Sequence, residues 1–278
     1  MQKKFRIGIV APARRLEEAT AVYLSLVAAR LEPSVELKFH PHCFLAHGHF
    51  AGTDAQRAAA VVEYANDPTL DALWFARGGY GTGRIANDVI GGLGPSAKHK
   101  TYLGYSDCGY LLAGLYRQGF GQIAHGPLAN DILREGGAEA VARGLAFLAR
   151  GDASTLEPAL QTGVRAVALN LTVLCHLLDT PLMPDLSGHV LALEEVSEPL
   201  YRIDRALGQL AQARSLRQLA GIRLGRVSDI VVNDVAFGQT AEDCVKFWCG
   251  KAGIPYLGAA DIGHDVGNKI VVFGGRAP

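Results

Sequence analysis

Strand-like and helix-like stretches alternate through the first half of the chain, and no other property of the sequence narrows its fold as far. The apolar run Arg6 to Ala11 reads as a strand, Leu16 to Leu31 as a helix, and Val35 to Phe39 as a strand. Asp54 to Ala65 then repeats apolar residues at helical spacing, and Ala72 to Ala76 is a strand. The series continues with a strand ending at Tyr105, a helix over Cys108 to Tyr116 and a strand at Gln122 to Ala124. Parallel neighbours can be joined only by crossovers, so this alternation predicts a parallel sheet with helices on both faces. Ligand sites of such sheets lie outside the carboxyl ends of the strands.

From Gly136 to Gly163 the pattern is helical and then polar and irregular, as expected of a connection between folding units. The reading is an amino-terminal domain over residues 1–150, a linker over 151–163 and a carboxyl-terminal domain over 164–278. In the last of these, Val164 to Leu169 and His189 to Val196 read as strands and Ile203 to Arg214 as an amphipathic helix. Short strands recur to the end, which describes a smaller mixed α/β unit.

Composition excludes several classes of partner. Lys plus Arg and Asp plus Glu number 27 each, so no long-range field points to nucleic acid or to an anionic membrane. The start, Met1 to Ala13, is basic, but its apolar run is too short for a signal peptide or a membrane span. Five scattered cysteines, an odd number, fit a reducing compartment better than a disulfide framework. The expectation is a cytoplasmic protein acting on a small molecule. His40, His42, Cys43, His47 and His49 crowd one polar segment, yet their spacing matches no closed zinc pattern, and no metal is expected there.

Two features lie at strand ends. Ser106 in Gly104-Tyr105-Ser106-Asp107 stands between an apolar run and a helical pattern. A serine there is either a helix cap or a nucleophile whose following N–H, that of Asp107, can stabilise an oxyanion. The turn Arg77-Gly78-Gly79-Tyr80-Gly81-Thr82-Gly83-Arg84 matches neither a phosphate loop nor a dinucleotide fingerprint. It is either a tight turn into a helix or a place where backbone N–H groups approach a ligand oxygen beside Ser106.

A nucleophilic serine needs a base, and the base needs an orienting carboxylate. His264, flanked by Gly263, and His125, which follows a strand, are both candidates for the base. Glu194 and Glu195 interrupt an apolar strand, where a carboxylate must be paired or hydrogen-bonded. Adjacent strand residues point to opposite faces, so only one of the two should reach the site. A substrate carboxylate would suit an arginine fork, for which Arg77, Arg202 and Arg205 are candidates.

Taken together and in order, these segments resemble the LD-carboxypeptidase family of serine peptidases. The resemblance is carried by Ile9-Val10-Ala11-Pro12, Phe50-Ala51-Gly52-Thr53-Asp54 before Arg57, Ala76-Arg77-Gly78-Gly79-Tyr80-Gly81 and Gly104-Tyr105-Ser106-Asp107. It continues through His125-Gly126-Pro127, Asn170-Leu171, Leu193-Glu194-Glu195, Tyr201-Arg202-Ile203-Asp204-Arg205 and Gly263-His264. The resemblance implies a Ser106, Glu194, His264 triad, with backbone N–H groups of Gly79 and Asp107 as the oxyanion hole. It also implies a flavodoxin-like or Rossmann-like first domain, a smaller second domain, a homodimer, and no metal or other cofactor. The activity it implies is removal of the terminal D-alanine from L,D-linked murein tetrapeptides in cell-wall recycling. A branch similar to the microcin C immunity protein instead cleaves peptidyl or aminoacyl nucleotides, and a non-catalytic small-molecule binder is the reading from a different class. Ala13, Ala168-Leu169 and Asp179 depart from the family's usual residues, and none of them touches the triad.

Overall fold

Strands that are apolar at every position, rather than at alternate ones, need cover on both faces. β3 (Ala72–Phe75) is buried along its whole length and β1 (Phe5–Val10) along its last four residues. A computed structural model describes residues 4–161 and 163–275; the outermost residues of the expected domains and residue 162 of the expected linker lie outside the described residues.

In chain order the first half runs β1, α1 (Glu18–Leu31), β2 (Val35–Phe39), α2 (Asp54–Asn66), β3 and α3 (Thr82–Gly91). It continues with β4 (Thr101–Gly104), α4 (Gly109–Arg117), β5 (Gln122–His125) and α5 (Gly137–Arg150). The second half adds β6 (Ala166–Asn170), α6 (Leu171–Leu177), β7 (Val190–Val196), α7 (Leu200–Gln212), β8 (Gly221–Ser228), α8 (Ala241–Ala252), β9 (Tyr256–Ala259) and β10 (Val271–Val272).

The first sheet has the order β2-β1-β3-β4-β5-β10. Its first five strands are parallel, which is the flavodoxin-like arrangement. β10 joins antiparallel, with Val271 opposite His125 and Val272 opposite Ala124. The segment after residue 164 therefore lends a strand to this sheet as well as building a second, smaller parallel sheet, β6-β7-β8-β9.

Alternating side chains sort the core onto two faces. Ile7, Ile9, Trp74 and Leu103 pack with Leu24 and Ala28 of α1 and Val141 and Leu145 of α5. Val10, Leu73, Phe75 and Tyr102 pack with Val61 of α2, Ile85 of α3 and Leu111 of α4. That second cluster runs on into Leu171 and Leu174 of α6, Leu191 and Leu193 of β7 and Leu207 of α7, so one apolar core spans both halves.

One helix follows a reading of the sequence and another exceeds it. The glycine turn leads directly into α3, and α6 follows β6 without a loop because Asn170 caps it, Oδ1 accepting the Val173 N–H at 3.1 Å. α7 begins at Leu200 rather than Ile203, because Pro199 has a fixed φ and its carbonyl accepts the Arg202 and Ile203 amides. Strand order reverses between β1 and β3, and the crevice at such a point is where ligands enter. The loops after β1, β3 and β4 meet there.

Candidate active site

β4 ends at Gly104, and the chain turns at once through Ser106–Cys108 into α4. Ser106 has φ 59°, in the left-handed region, where a non-glycine residue costs on the order of 1 kcal/mol or more. The buried Tyr105 and Asp107 on either side hold it there. This is the strained strand-to-helix elbow that presents a hydroxyl above a sheet.

The glycine turn lies flat against that hydroxyl. A Cβ on Gly78 would come within 3.0 Å of both Cβ and Oγ of Ser106, and Gly79 has φ 113°. Neither the Gly79 nor the Asp107 amide finds an acceptor among the described residues. The Asp107 carboxylate accepts the Thr82 N–H at 2.8 Å, at the first residue of α3, and burial raises its pKa. Asp107 thus ties the serine turn to the glycine turn. Arg57, fully buried in α2, adds a second tie: Nη1 donates to the carbonyls of Gly81, at 3.0 Å, and of Pro12.

His264 completes the arrangement from the other half of the chain. Its Nε2 lies 3.0 Å from Ser106 Oγ, and its Nδ1 is hydrogen-bonded to Oε2 of the fully buried Glu194. The Tyr105 ring packs beside the imidazole, 4.9 Å between centroids. Burial by itself would lower the His264 pKa, but the charge and hydrogen bond of Glu194 outweigh it and the net shift is upward.

The loop carrying His264 is fastened from every side. Arg226 of β8 pairs with Asp261 and Asp265, Arg143 of α5 donates to the carbonyls of Val266 (2.7 Å) and Asn268 (3.1 Å), and Glu157 accepts the Asp261 amide at 3.1 Å. The fully buried Asn268 accepts the Gly263 amide at 3.1 Å. Sequence reasoning missed these supports. Their only local signal was Asp261 and Asp265 bracketing the histidine.

The two glutamates separate as the strand's alternation predicts. Glu195 turns away from His264 and accepts the Asn170 side-chain amide (2.7 Å), the Thr172 amide (2.9 Å) and the Thr172 hydroxyl (2.7 Å), holding the start of α6. Replacing it with alanine leaves those buried and half-buried donors unpaired and is expected to cost about 3 kcal/mol. Differential scanning calorimetry should show Tm lower by roughly 6–12 °C.

His125, the competing base, is buried in β5 opposite Gly104 and makes no hydrogen bond to Ser106; burial pushes its pKa down to about 4. Arg202 pairs with Glu198 at 2.9 Å and Arg205 lies over the Tyr201 ring, whereas Arg77 stands at the glycine turn. Among the described residues no group of three or more His, Cys, Asp or Glu is placed to hold a metal. His42 is instead buried against the Ala11 carbonyl at 3.1 Å, and His40 meets Glu63 at 3.3 Å. All five cysteines are buried and free. A cavity of about 1510 Å³ opens at the other ends of the strands, lined by Arg117, Arg165, His189 and Arg217, and none of Ser106, Glu194 and His264 borders it.

Among the described residues no helix is long and apolar enough to cross a membrane. The model of the LD-carboxypeptidase N-terminal domain matches residues 7–126, and that of the LD-carboxypeptidase C-terminal domain matches residues 165–278. The murein tetrapeptide carboxypeptidase of Pseudomonas aeruginosa is 28% identical over 98% of this chain and 92% of its own length. The crystal structure of a muramoyltetrapeptide carboxypeptidase from Oxalobacter formigenes is similar with TM-score 0.79 and 24% identity, covering 96% of this chain and 93% of that one. The microcin C7 self immunity protein MccF, in complex with aspartyl sulfamoyl adenosine, shares the fold with TM-score 0.75 at 15% identity, covering 100% of this chain and 98% of that one. With both domain models matched in order along most of its length, the chain belongs to the LD-carboxypeptidase family.

Proposed function

We propose that this chain is a serine LD-carboxypeptidase that releases the terminal D-alanine of murein tetrapeptides, using Ser106, His264 and Glu194 as a triad. The observation that carries the reading is the contact series from Ser106 Oγ through both ring nitrogens of His264 to Glu194. His264 Nε2 takes the Ser106 proton as Oγ attacks the scissile carbonyl carbon. Glu194 fixes the tautomer with Nδ1 protonated and stabilises the imidazolium that forms. The free amides of Gly79 and Asp107 receive the developing oxyanion, and His264 hands its proton to the leaving amine. Water then repeats the sequence and frees the acyl group from Ser106.

The twofold assembly and the cytoplasmic setting belong to the same reading and rest on the family likeness. Two domains, meeting in the segment 151–163, would supply nucleophile and base separately. The test is to incubate the protein with murein tetrapeptide and quantify D-alanine. Release supports the reading; no release together with cleavage of aspartyl sulfamoyl adenosine would move the chain to the immunity-type amidases.

A further inference from the structure

A tetrapeptide substrate ends in a free carboxylate one residue beyond the scissile carbonyl, about 3.8 Å along the chain. Whatever binds it must sit next to the oxyanion donors. The loop after β1 meets this requirement. The stem of Arg14 packs over Gly79, where a Cβ would come within 2.9 Å of Arg14 Cγ, so its guanidinium emerges at the edge of the glycine turn. Arg77 directly precedes Gly78 in that turn, and its Nη1 donates to the Arg15 carbonyl at 3.4 Å, which holds the two loops together.

The charges in this corner are unbalanced. Arg15 is paired with Glu17 at 3.0 Å, but Arg14 and Arg77 have no carboxylate within ion-pair distance among the described residues. Burial, and then the neighbouring charges of Arg14 and Arg15, push the Arg77 guanidinium below its ordinary value, although Glu17 acts the other way. Clustering like charges is unfavourable until an anion arrives between them. The chain as a whole has equal numbers of acidic and basic residues, so this local excess is not a diffuse property of its surface.

We propose that Arg14 and Arg77 form the subsite for the α-carboxylate of the leaving residue, and so restrict cleavage to the last peptide bond. Two guanidinium forks suit the planar carboxylate. A longer peptide would bring a neutral amide to the same place and leave both charges unmatched. This subsite rests on the peptidase reading above, and it adds Arg14, which no pattern in the sequence singles out.

The test compares the L,D-linked tetrapeptide bearing a free terminal carboxylate with the same peptide carrying a terminal amide. The wild-type protein should prefer the acid by about 10- to 100-fold in kcat/KM. Arg14→Met, which keeps an unbranched stem over Gly79, and Arg77→Ala should each lose activity on the acid mainly through KM and lose far less on the amide. Equal wild-type rates on both peptides, or equal losses on both in the variants, would overturn the subsite while leaving the peptidase standing. Hydrolysis of neither peptide by the wild-type protein would overturn the peptidase reading and the subsite with it.

Discussion

Ser106→Ala is expected to lower kcat for D-alanine release by at least about 10⁴-fold while KM changes little. In the proposed mechanism the hydroxyl is the one group that forms and breaks a covalent bond, and nothing beside it can replace it. Cys108, two residues on, is fully buried with its thiol pKa raised by that burial, so it offers no thiolate at neutral pH. What remains after the substitution is the binding of the carbonyl oxygen, which speeds attack by water only modestly. Chromatographic assay of released D-alanine measures the loss. Turnover equal to the wild-type rate would sink the nucleophile assignment and favour a protein that only binds its ligand.

The same position tests the elbow as a store of strain. Glycine adopts φ 59° freely, whereas serine and alanine do not. Ser106→Gly should therefore be more stable than Ser106→Ala by about 1 kcal/mol, with both inactive, as read from thermal melts. Equal melting temperatures would mean that the turn imposes no cost on its side chain.

Much of this site is legible in the sequence because strand ends are legible. Apolar runs locate β3 and β4, and a doubly wound sheet brings the glycine turn after β3 and Ser106 after β4 to one edge. The period of a strand separates Glu194 from Glu195, yet it cannot say which of the two faces the first half of the chain. That depends on how β6 and β7 pack against β5 and β10, a matter of tertiary contact. The choice between His125 and His264 has the same origin. Both come after apolar runs, but His125 is still inside β5, in register with Gly104, and is sealed there by β10 arriving from the far end of the chain. The ties that set the geometry, Arg57, Arg143, Arg226 and Asn268, reach as far as 125 positions along the sequence. No local pattern encodes a partner at that separation.

Glu194→Gln should leave the fold intact, lower kcat by roughly 10³- to 10⁴-fold and move the pH profile toward acid. Glutamine fills the same buried space, but its amide can meet Nδ1 with either its oxygen or its NH₂ group, so the tautomer with Nε2 free to take the Ser106 proton is no longer enforced. In the proposed mechanism the imidazolium formed during attack would also lose its counter-charge. In the wild-type protein the net shift of His264 is upward from 6.5, and as the proposed base it would work only when neutral, so kcat/KM should rise with pH through a midpoint above 6.5. Without the Glu194 charge, burial, the largest single influence on His264, is opposed chiefly by the charge of Glu195, and the midpoint should fall. Stability obeys the same linkage. A histidine whose folded pKa is raised stabilises the fold fully below its unfolded value and loses that contribution as pH rises through the folded one. The gap in Tm between wild type and Glu194→Gln should accordingly be wider in acid than above the raised midpoint. A variant whose ascending limb stays where the wild-type limb lies would mean that Glu194 does not govern the protonation of His264, and the orienting role would pass to another group.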